Sequence, residues 1–405
     1  MAQRQKKLML LGGLRYLLPV IVAAHRHNIY VITVDYRPDN IAHKYSDEYH
    51  NVSILDKEAV LALARELQID GIMSFAVDPG VVSAAYVAEK MGLPFQCSYK
   101  SACILQDKAK FRKFLADNGF NVPNARGYKN AEDAIADFDY FNWPVIVKPV
   151  DSAGSKGVTR VDDPGKLTQA INHALDCSPS KQFVIEDFLE KEGCSSDCDS
   201  FSIDGKLVFC SFNNQYFDAD ADNEYTPAAY SWPSTMPETI QRELRSELQR
   251  LLALLDCKTG LYNIETRFCK NGKAYIMEVS PRAGGNRLAE MLKYVTGEDI
   301  IERAMLAAVN EQFKSIKKGA DKHNHNFVEM ILHANKEGIF NNIEINPVLS
   351  PNIIETDLWV RPGDMVEAFS GANMAIGTLA IRSTSQQDTV QIIKRQKELI
   401  NIVVE

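Results

Sequence analysis

The sequence lacks any long hydrophobic run that could cross a membrane. No segment approaches the roughly 18 uncharged apolar residues that mark a membrane-spanning helix. Residues 1–7 are polar and run directly into a short apolar segment, without the apolar core and small-residue cleavage pattern of a signal peptide. We therefore expect a cytoplasmic protein that does not associate with membranes.

The sequence also lacks an excess of positive charge. Its 405 residues include 45 Lys and Arg against 53 Asp and Glu, which gives a net charge of −8 and a pI of about 5.6. No global basic field favours nucleic acid. Any anion must therefore be bound by local lysines and backbone amides, and the expected partners are small molecules.

A zinc motif is missing as well. The eight cysteines are spread along the chain, no C-x-x-C is present, and only Cys194 and Cys198 lie close together, with no histidine nearby. This spacing argues against a zinc site. We expect most of the thiols to be free and buried, as in a reducing cytosol.

Residues 7–95 alternate between strand-like and helix-like patterns, which is typical of a doubly wound parallel sheet. Gly12 and Gly13 follow the first predicted strand, at the end of the sheet where such folds bind ligands. The third glycine of the G-x-G-x-x-G motif is missing, so dinucleotide binding is disfavoured. We expect a loop that contacts some other ligand.

Two carboxylates are predicted to face each other across a β-hairpin. Residues 261–268 and 274–280 alternate as strands do, and Asn271-Gly272 between them is a strong turn signal. With that dipeptide at the turn, the facing pairs are Glu265 with Glu278, Asn263 with Ser280, and Arg267 with Ile276.

Like charges that face each other destabilise a sheet, so Glu265 and Glu278 need a cation, a proton or a basic side chain between them. Two hard oxygen donors followed by Arg282 favour a Mg²⁺ and phosphate site. The simpler alternative is that one glutamate pairs with Arg267 and both lie on a solvated face. The hairpin alone leaves these two interpretations about equal.

A second group of residues favours the phosphate interpretation. An apolar strand that contains Lys148 leads into a loop of small residues from Ser152 to Gly157, and a second strand follows. Backbone N–H groups of such a loop can approach phosphate oxygens, and Lys156 adds positive charge. Because a strand follows, this is not a Walker A loop, and taken alone a flexible hairpin tip explains it equally well. Lys108 opens the preceding helix, where its charge opposes the helix dipole.

Several motifs in one order resemble the ATP-grasp superfamily, most closely its biotin-carboxylase-like and carbamoyl-phosphate-synthetase-like members, including the L-amino-acid ligases. They are Asp107-Lys108-x-x-Phe111-Arg112, Val147-Lys148-Pro149, the Ser152–Gly157 loop, Glu186-Asp187-Phe188-Leu189, Glu265, and Glu278-x-Ser280-x-Arg282-x-Gly284-Gly285. The resemblance covers nearly the full length. It implies an α/β and α+β protein with a Rossmann-like pre-ATP-grasp domain at 1–100, an ATP-grasp domain at 101–315 with its lid at about 125–190, and a β-rich C-terminal subdomain at 316–405 that completes the grasp.

The resemblance also implies a nucleotide-binding role for the matching residues. Lys108 and Lys148 would hold the α- and β-phosphates of ATP. The loop that would close over the triphosphate contains Ser152, Gly154, Ser155, Lys156 and Gly157. The segment whose backbone would bind adenine is Glu186, Asp187, Phe188 and Leu189, and the last two would add an apolar wall.

By the same resemblance, Glu265 and Glu278 would bind Mg²⁺, and Arg282 would act in catalysis by stabilising the transferred phosphoryl group and the acyl phosphate. Ser280 stands where the family usually has Asn, so a second Mg²⁺ would be held through water or less tightly.

The acid that binds ribose is less clear from the sequence. Ser195 stands where the family commonly has Glu, which leaves Glu192 or Asp197 as substitutes.

These features predict an ATP- and Mg²⁺-dependent ligase that activates a small carboxylate as an acyl phosphate for attack by an amine, forming a C–N bond. The alternatives are a purine-biosynthesis-type carboxylase or formyl-transferring ligase, and a nucleotide-binding regulatory module without turnover, which only Ser280 supports. Residues 212–237 are predicted to shape the acceptor pocket, although a mobile surface loop has the same composition. The prediction allows for a homodimer.

Overall fold

The computed structural model describes residues 4–152, 154–317, 319–320 and 325–405. Ala153 of the predicted phosphate loop and the first three residues of the polar N-terminus lie outside the described residues. Among the residues that are described, no helix combines the length and apolar composition that crossing a bilayer requires. All eight cysteines are described, and none of them forms a disulfide, as expected.

Four parallel strands form the first sheet, in the order β3-β2-β1-β4, which confirms the predicted doubly wound arrangement. Its strands and the helices of this region are β1 (Lys7–Leu11), α1 (Leu18–Arg26), β2 (Tyr30–Val34), β3 (Glu48–His50), α2 (Lys57–Leu67), β4 (Gly71–Ser74), α3 (Asp78–Met91) and α4 (Tyr99–Leu105). Leu8 and Leu10 pack in a core with α1, whereas Met9 and Leu11 pack with α2 and α3. Both faces of the sheet are thus covered, which explains why residues 8–11 of β1 are apolar without interruption.

A small antiparallel sheet follows, in the order β5-β8-β6-β7. The elements here are α5 (Lys108–Asp117), β5 (Ala125–Tyr128), α6 (Ala131–Ala136), β6 (Val145–Pro149), β7 (Thr159–Val161), α7 (Leu167–Cys177) and β8 (Phe183–Asp187). Asp107 caps α5 by accepting a hydrogen bond from the Lys110 amide. The loop between β6 and β7 contains the predicted phosphate-binding residues.

Two larger sheets are built next. One has the order β10-β9-β13-β14, and β11 and β12 begin a five-stranded sheet that later strands complete. The elements are β9 (Ser196–Ile203), β10 (Lys206–Cys210), β11 (Asn214–Phe217), β12 (Pro227–Trp232), α8 (Glu238–Leu254), β13 (Gly260–Phe268), β14 (Ala274–Ser280), α9 (Leu288–Thr296) and α10 (Ile300–Ala308). The helix α8 covers the first of these sheets with a buried leucine stripe.

The C-terminal part completes the five-stranded sheet, β11-β12-β15-β19-β17, and adds a three-stranded sheet, β18-β16-β20. Its elements are β15 (Asn326–His333), β16 (Gly338–Ile345), β17 (Ile353–Leu358), β18 (Met365–Val366), β19 (Ala375–Ser383), α11 (Gln386–Lys394), α12 (Gln396–Leu399) and β20 (Ile400–Val404).

The first sheet is held closely against the rest of the chain. Residues of α1 and α10 share one buried core. At Gly71, the first residue of β4, an added Cβ would lie 2.2 Å from the carbonyl oxygen of Ala308 at the end of α10. Only glycine allows this approach of backbone to backbone. The contact fixes the first sheet beside the cavity described next.

Candidate functional site

A cavity of about 670 Å³ has walls from the first sheet, the small sheet, and both larger sheets. This volume lies within the range of small-molecule sites, roughly 300–1,000 Å³. The predicted site residues that line it are Lys108, Lys148, Ser152, Gly154, Ser155, Lys156, Glu186, Phe188, Glu265, Glu278 and Arg282. The predicted residues that do not line it are Gly157, Asp187, Leu189, Glu192 and Ser280.

Glu265 on β13 and Glu278 on β14 face each other in the strand pairing, in agreement with the predicted pairing. Each carboxylate forms one long ion pair. Lys108 Nζ lies 3.6 Å from a Glu278 oxygen, and Arg267 Nη2 lies 3.6 Å from a Glu265 oxygen. Neither carboxylate accepts a hydrogen bond from any residue that the structure describes. The ion pair with Arg267 that the simpler alternative requires is present, but it is long and both glutamates face the cavity.

The two carboxylates fit a divalent cation. Their side chains are 32% and 33% exposed, and their oxygens have lone pairs that no described side chain uses. Mg²⁺ is commonly held by one or two carboxylates together with substrate phosphates and water. No cluster of three or more His, Cys, Asp or Glu that could hold a metal occurs within the described ranges. Ligands from phosphate or water would therefore complete the shell.

The hairpin departs from the predicted pairing beyond Glu265. A bulge directly after this residue leaves Met277 as an extra residue on β14, so Arg267 pairs with Tyr275. The prediction of Arg267 opposite Ile276 is therefore wrong by one residue. A bulge inserts one residue into one strand only, and hydrophobic alternation does not reveal where it falls. Its consequence is that Met277 lines the cavity.

A third carboxylate extends the pair into a row across the sheet. Asp197 on β9 pairs with Glu265, on the side opposite Glu278. Burial, reinforced by the Glu265 charge, raises the pKa of Asp197 to about 7. Two strand positions away, burial raises the pKa of Asp199 to about 6. Asn263 donates hydrogen bonds to both aspartates, at 2.7 and 3.2 Å.

Ser280 pairs with Asn263 as predicted, but the structure does not bring its side chain to the cavity. Its hydroxyl donates to Asp78 Oδ1 at 2.9 Å and accepts from Gln106 Nε2 at 2.7 Å, and the residue is buried. Both functions of the hydroxyl are thus occupied. A metal-ligand role for Ser280 stays a prediction, and these contacts do not support it.

Arg282 is held at the cavity wall by Asp78, which begins α3 of the first sheet. Arg282 Nε and Nη2 donate to the two oxygens of Asp78 at 2.8 and 2.6 Å. Burial alone would lower the pKa of Arg282, but the Asp78 carboxylate raises it above the ordinary value. The arginine stays charged, and a two-point contact fixes the plane of its guanidinium.

Lys148 on β6 is held by a buried carboxylate. Its Nζ lies 2.5 Å from Glu186 Oε1, and Arg112 Nε donates to Glu186 Oε2 at 2.9 Å. Burial opposes the charged form of Glu186, but Arg112 and Lys148 lower its pKa to about 2. Burial lowers the pKa of Lys148, and Glu186 opposes that effect. The Glu186 side chain is therefore an anchor for Lys148 within the cavity wall.

The loop after β6 and the start of α5 meet beside Glu278. Lys108 Nζ donates to the Ser152 carbonyl oxygen at 2.9 Å, which places the lysine between the loop and the carboxylate pair. Gly154, Ser155 and Gly157 all have positive φ. Ser155 also donates its hydroxyl to the Tyr225 carbonyl oxygen at 2.9 Å. The loop thus lies against residues 223–225.

Only part of the predicted adenine segment, residues 186–189, lines the cavity. Phe188 lines the cavity, and its backbone N–H donates to the Pro144 carbonyl oxygen at 2.9 Å. Asp187 accepts hydrogen bonds from Asn142 and Asn124 outside the cavity. Glu192, offered as a ribose ligand, is exposed and lies away from the cavity, whereas the other candidate, Asp197, lines it.

Asp78 was not among the residues predicted from the sequence, and Arg112 was assigned only to a motif. Asp78 stands just after β4, at the carboxyl end of a parallel strand, where doubly wound folds place ligand-binding groups. That position was a usable signal. Arg112 gave no such signal, because it reaches Glu186 across 74 positions of sequence.

These groups form a site suited to a nucleoside triphosphate and a divalent cation. Comparison with known sequences agrees, because residues 141–290 match the family of the ATP-grasp domain. Residues 141–290 therefore lie in an ATP-grasp domain, and the resemblance seen in the motifs is confirmed for that domain.

Two curated relatives illustrate the similarity. The carbamoyl phosphate synthase large chain of Thermotoga petrophila is 26% identical over 255 residues, which cover 62% of this chain and 23% of that one. The formate-dependent phosphoribosylglycinamide formyltransferase of Parasynechococcus marenigrum is 26% identical over 297 residues, 72% of this chain and 74% of that one. The chain thus spans about a quarter of the synthase and three-quarters of the transferase.

Among solved structures, the L-amino acid ligase from Bacillus licheniformis has a TM-score of 0.82 and 20% sequence identity, with full coverage of both chains. At this identity the likeness shows the fold. The chain shares its fold with this ligase over its whole length, and the predicted fold class is confirmed.

The buried Arg112–Glu186–Lys148 group predicts a pH-dependent stability. The pKa of Glu186 is lowered from 4.5 to about 2 in the folded chain, so its contribution is present above about pH 4.5 and is lost as pH falls towards 2. Glu186→Gln leaves two buried cations without their anion and should cost about 3–5 kcal/mol at pH 7. Urea unfolding at several pH values should show the deficit shrinking below pH 4.5.

Glu190→Gln is the matched control, because Glu190 pairs with Lys270 on the surface and both side chains are more than half exposed. It should change stability by no more than about 0.5 kcal/mol. Equal losses in the two variants, or a Glu186→Gln deficit that does not vary with pH, would contradict the assigned role of the buried group.

Proposed function

We propose that this chain is an ATP-dependent carboxylate–amine ligase. The observation that supports it most is the facing pair Glu265 and Glu278, which lie in the cavity without hydrogen bonds from described residues and beside anchored cations. Two carboxylates beside Lys108 and Arg282 suit a Mg²⁺ ion that offsets the charge of a transferred phosphoryl group.

In this proposal ATP lies along the wall formed by the small sheet. Lys108 and Lys148 hold the α- and β-phosphates, the loop at 152–157 covers the triphosphate, and the segment at 186–189 borders adenine. The anchoring of Lys148 by Glu186 supports its part, because a fixed cation loses little freedom on binding phosphate. Asp197 remains the candidate for the ribose.

Glu265 and Glu278 would hold Mg²⁺, which supplies positive charge to the phosphate oxygens during transfer. Arg282, fixed by Asp78, would face the transferred phosphoryl group. The γ-phosphoryl passes from ATP to a substrate carboxylate oxygen, which releases ADP and leaves an acyl phosphate. An amine then attacks the acyl carbon, and phosphate leaves as the C–N bond forms. The chain's task is to offset charge and exclude water.

The comparisons support this class. The similar proteins include a carbamoyl phosphate synthase, an L-amino acid ligase and a formyltransferase that acts on phosphoribosylglycinamide. The last, with coverage of 74% of its length, favours a formyl-transferring ligase as the second candidate. The remaining alternative, a regulatory module without turnover, was supported only by the presence of Ser280 where the family usually has Asn. The hydrogen bonds of Ser280 with Asp78 and Gln106 give another reason for a serine at this position.

The proposed enzyme has three parts, with boundaries near residues 100 and 315 and a lid at about 125–190. A homodimer in the cytoplasm is the proposed assembly, and the absence of disulfides among the eight described cysteines supports a reducing compartment.

Release of ADP is expected to require both a carboxylic acid and an amine. A coupled assay with paired panels of acids and amines should show turnover that collapses when either is omitted, because the acyl phosphate forms only on an acid and is consumed only by an amine. ATP hydrolysis that ignores both panels would exclude a ligase. Turnover with formate and a ribonucleotide amine alone would favour the second candidate.

Glu278→Gln should abolish that turnover, because it removes one charged ligand from Mg²⁺. Calorimetry with a nonhydrolysable ATP analogue should show parent binding that weakens in EDTA, and variant binding that no longer responds to Mg²⁺. The control is Glu238→Gln on the exposed start of α8, which should behave like the parent. If the parent gives the same isotherm with and without metal, Glu265 and Glu278 do not bind Mg²⁺.

A further inference from the structure

Part of the cavity wall takes no role in the proposed nucleotide and metal binding. It is formed by Arg15 and Tyr16, in the turn that follows β1, and by Trp359, which follows β17 directly. These residues come from opposite ends of the chain. Because β1 and β4 are parallel neighbours, the turn after β1 lies at the same sheet edge as Asp78, the residue that holds Arg282.

The Arg15 guanidinium is the cation of this wall. Its Cζ lies 5.6 Å from the centre of the Trp359 ring, and Tyr16 packs edge-on against the same ring at 5.9 Å. The indole is oriented by a hydrogen bond from its Nε1 to Asp357 Oδ2 at 2.8 Å. An arginine that stands over an aromatic ring keeps its N–H fork free for a planar anion.

Arg15 has no acidic partner in the described part of the chain. The other two arginines of the cavity wall do: Arg282 pairs with Asp78, and Arg267 lies 3.6 Å from Glu265. Arg15 is only partly exposed. The cavity therefore has one guanidinium that is oriented but not neutralised, as a site for an external carboxylate requires.

Two hydrogen-bond acceptors also line the cavity without a donor. Gln215 and Asn286 are 5% and 4% exposed, and their carbonyl oxygens accept no hydrogen bond from described residues. Both amides lie within reach of the Tyr230 hydroxyl, which donates to Asp197. A buried acceptor without a donor is costly, so a ligand that supplies N–H groups is favoured here.

The acceptors and the cation belong to one region of the wall. Tyr16, next to Arg15 in sequence, lies within hydrogen-bonding reach of the Asn286 backbone. Asn286 is four residues beyond Arg282, so the region borders the place where the proposed acyl phosphate forms. A guanidinium beside neutral acceptors complements a molecule that has both a carboxylate and an amine.

We propose that Arg15, held over Trp359, binds a carboxylate that does not react, on the substrate that supplies the amine. The carbonyl oxygens of Gln215 and Asn286 accept hydrogen bonds from the N–H groups of that amine. This inference rests on the proposed function and narrows it: the amine substrate is an amino acid or another amino-carboxylate, and Arg15 selects it.

The test compares each of the common amino acids with its own carboxamide, which keeps the amine and removes the negative charge. In the parent, kcat/KM for the amino acid should exceed that for the carboxamide by about 10- to 100-fold, the scale of a charge-assisted contact. Arg15→Gln should bring that ratio close to one, mainly by raising KM for the amino acid. Trp359→Leu should lower the ratio partly, because the guanidinium stays but loses its support.

Arg242→Gln is the control, since Arg242 is exposed on α8 outside the cavity; it should keep the parent ratio. A ratio in Arg15→Gln equal to that of the parent overturns the inference. Calorimetry then separates the Arg15 inference from the ligase proposal. It measures binding of the amino acid and of its carboxamide to the complex with the ATP analogue, and so does not depend on turnover. If no pair of acid and amine stimulates ADP release, the ligase proposal fails. The role of Arg15 is still supported if the parent binds the amino acid more tightly than its carboxamide and Arg15→Gln binds the two equally. Absence of amino-acid binding to the parent overturns the inference outright.

Discussion

Repulsion between like charges is the constraint on which this structure depends. Asp197, Glu265 and Glu278 occupy one row across three neighbouring strands, where the sheet spacing keeps them close. The opposite face of these strands explains why the row persists: Ile264 and Val279 are completely buried. A shift of one residue would expose that apolar face, so the register cannot slip to relieve the charges.

The cations around this row are fixed by acids that lie behind them. Lys148 is bound by Glu186, which Arg112 also contacts, and Arg282 is bound by Asp78. Each anchor is buried or nearly so, and each comes from a distant part of the sequence. Cations that are already oriented and partly desolvated need little reorganisation when charge develops nearby, which is the main source of electrostatic catalysis. The cost is stability, since a buried ion pair regains only part of the hydration that its two ions lose.

The sequence was informative wherever a pattern is local. The facing of Glu265 and Glu278, the loop at 152–157 and the parallel first sheet all follow from alternation, turn residues and spacing, and the structure agrees on the fold. The bulge after Glu265 was beyond reach, because an inserted residue leaves no trace in hydrophobic alternation. The partners of Lys148 and Arg282 could not be predicted either, since the pattern of a single sequence contains no information on contacts between distant segments. Ser280 illustrates the difference: its place opposite Asn263 was predicted, but its hydrogen bonds to Asp78 and Gln106 were not.

The loop over the proposed triphosphate is tied to the segment predicted to shape the acceptor pocket. Ser155 donates to the Tyr225 carbonyl oxygen, and Asn223 donates to the carbonyl oxygens of both Ser155 and Ser370. Three remote segments therefore meet at one point above the cavity. Displacement of the loop would break contacts with the segment at 223–225, so the proposed nucleotide side and the proposed acceptor side are physically linked. A ligase gains from this link, because an acyl phosphate needs protection from water until an amine is in place.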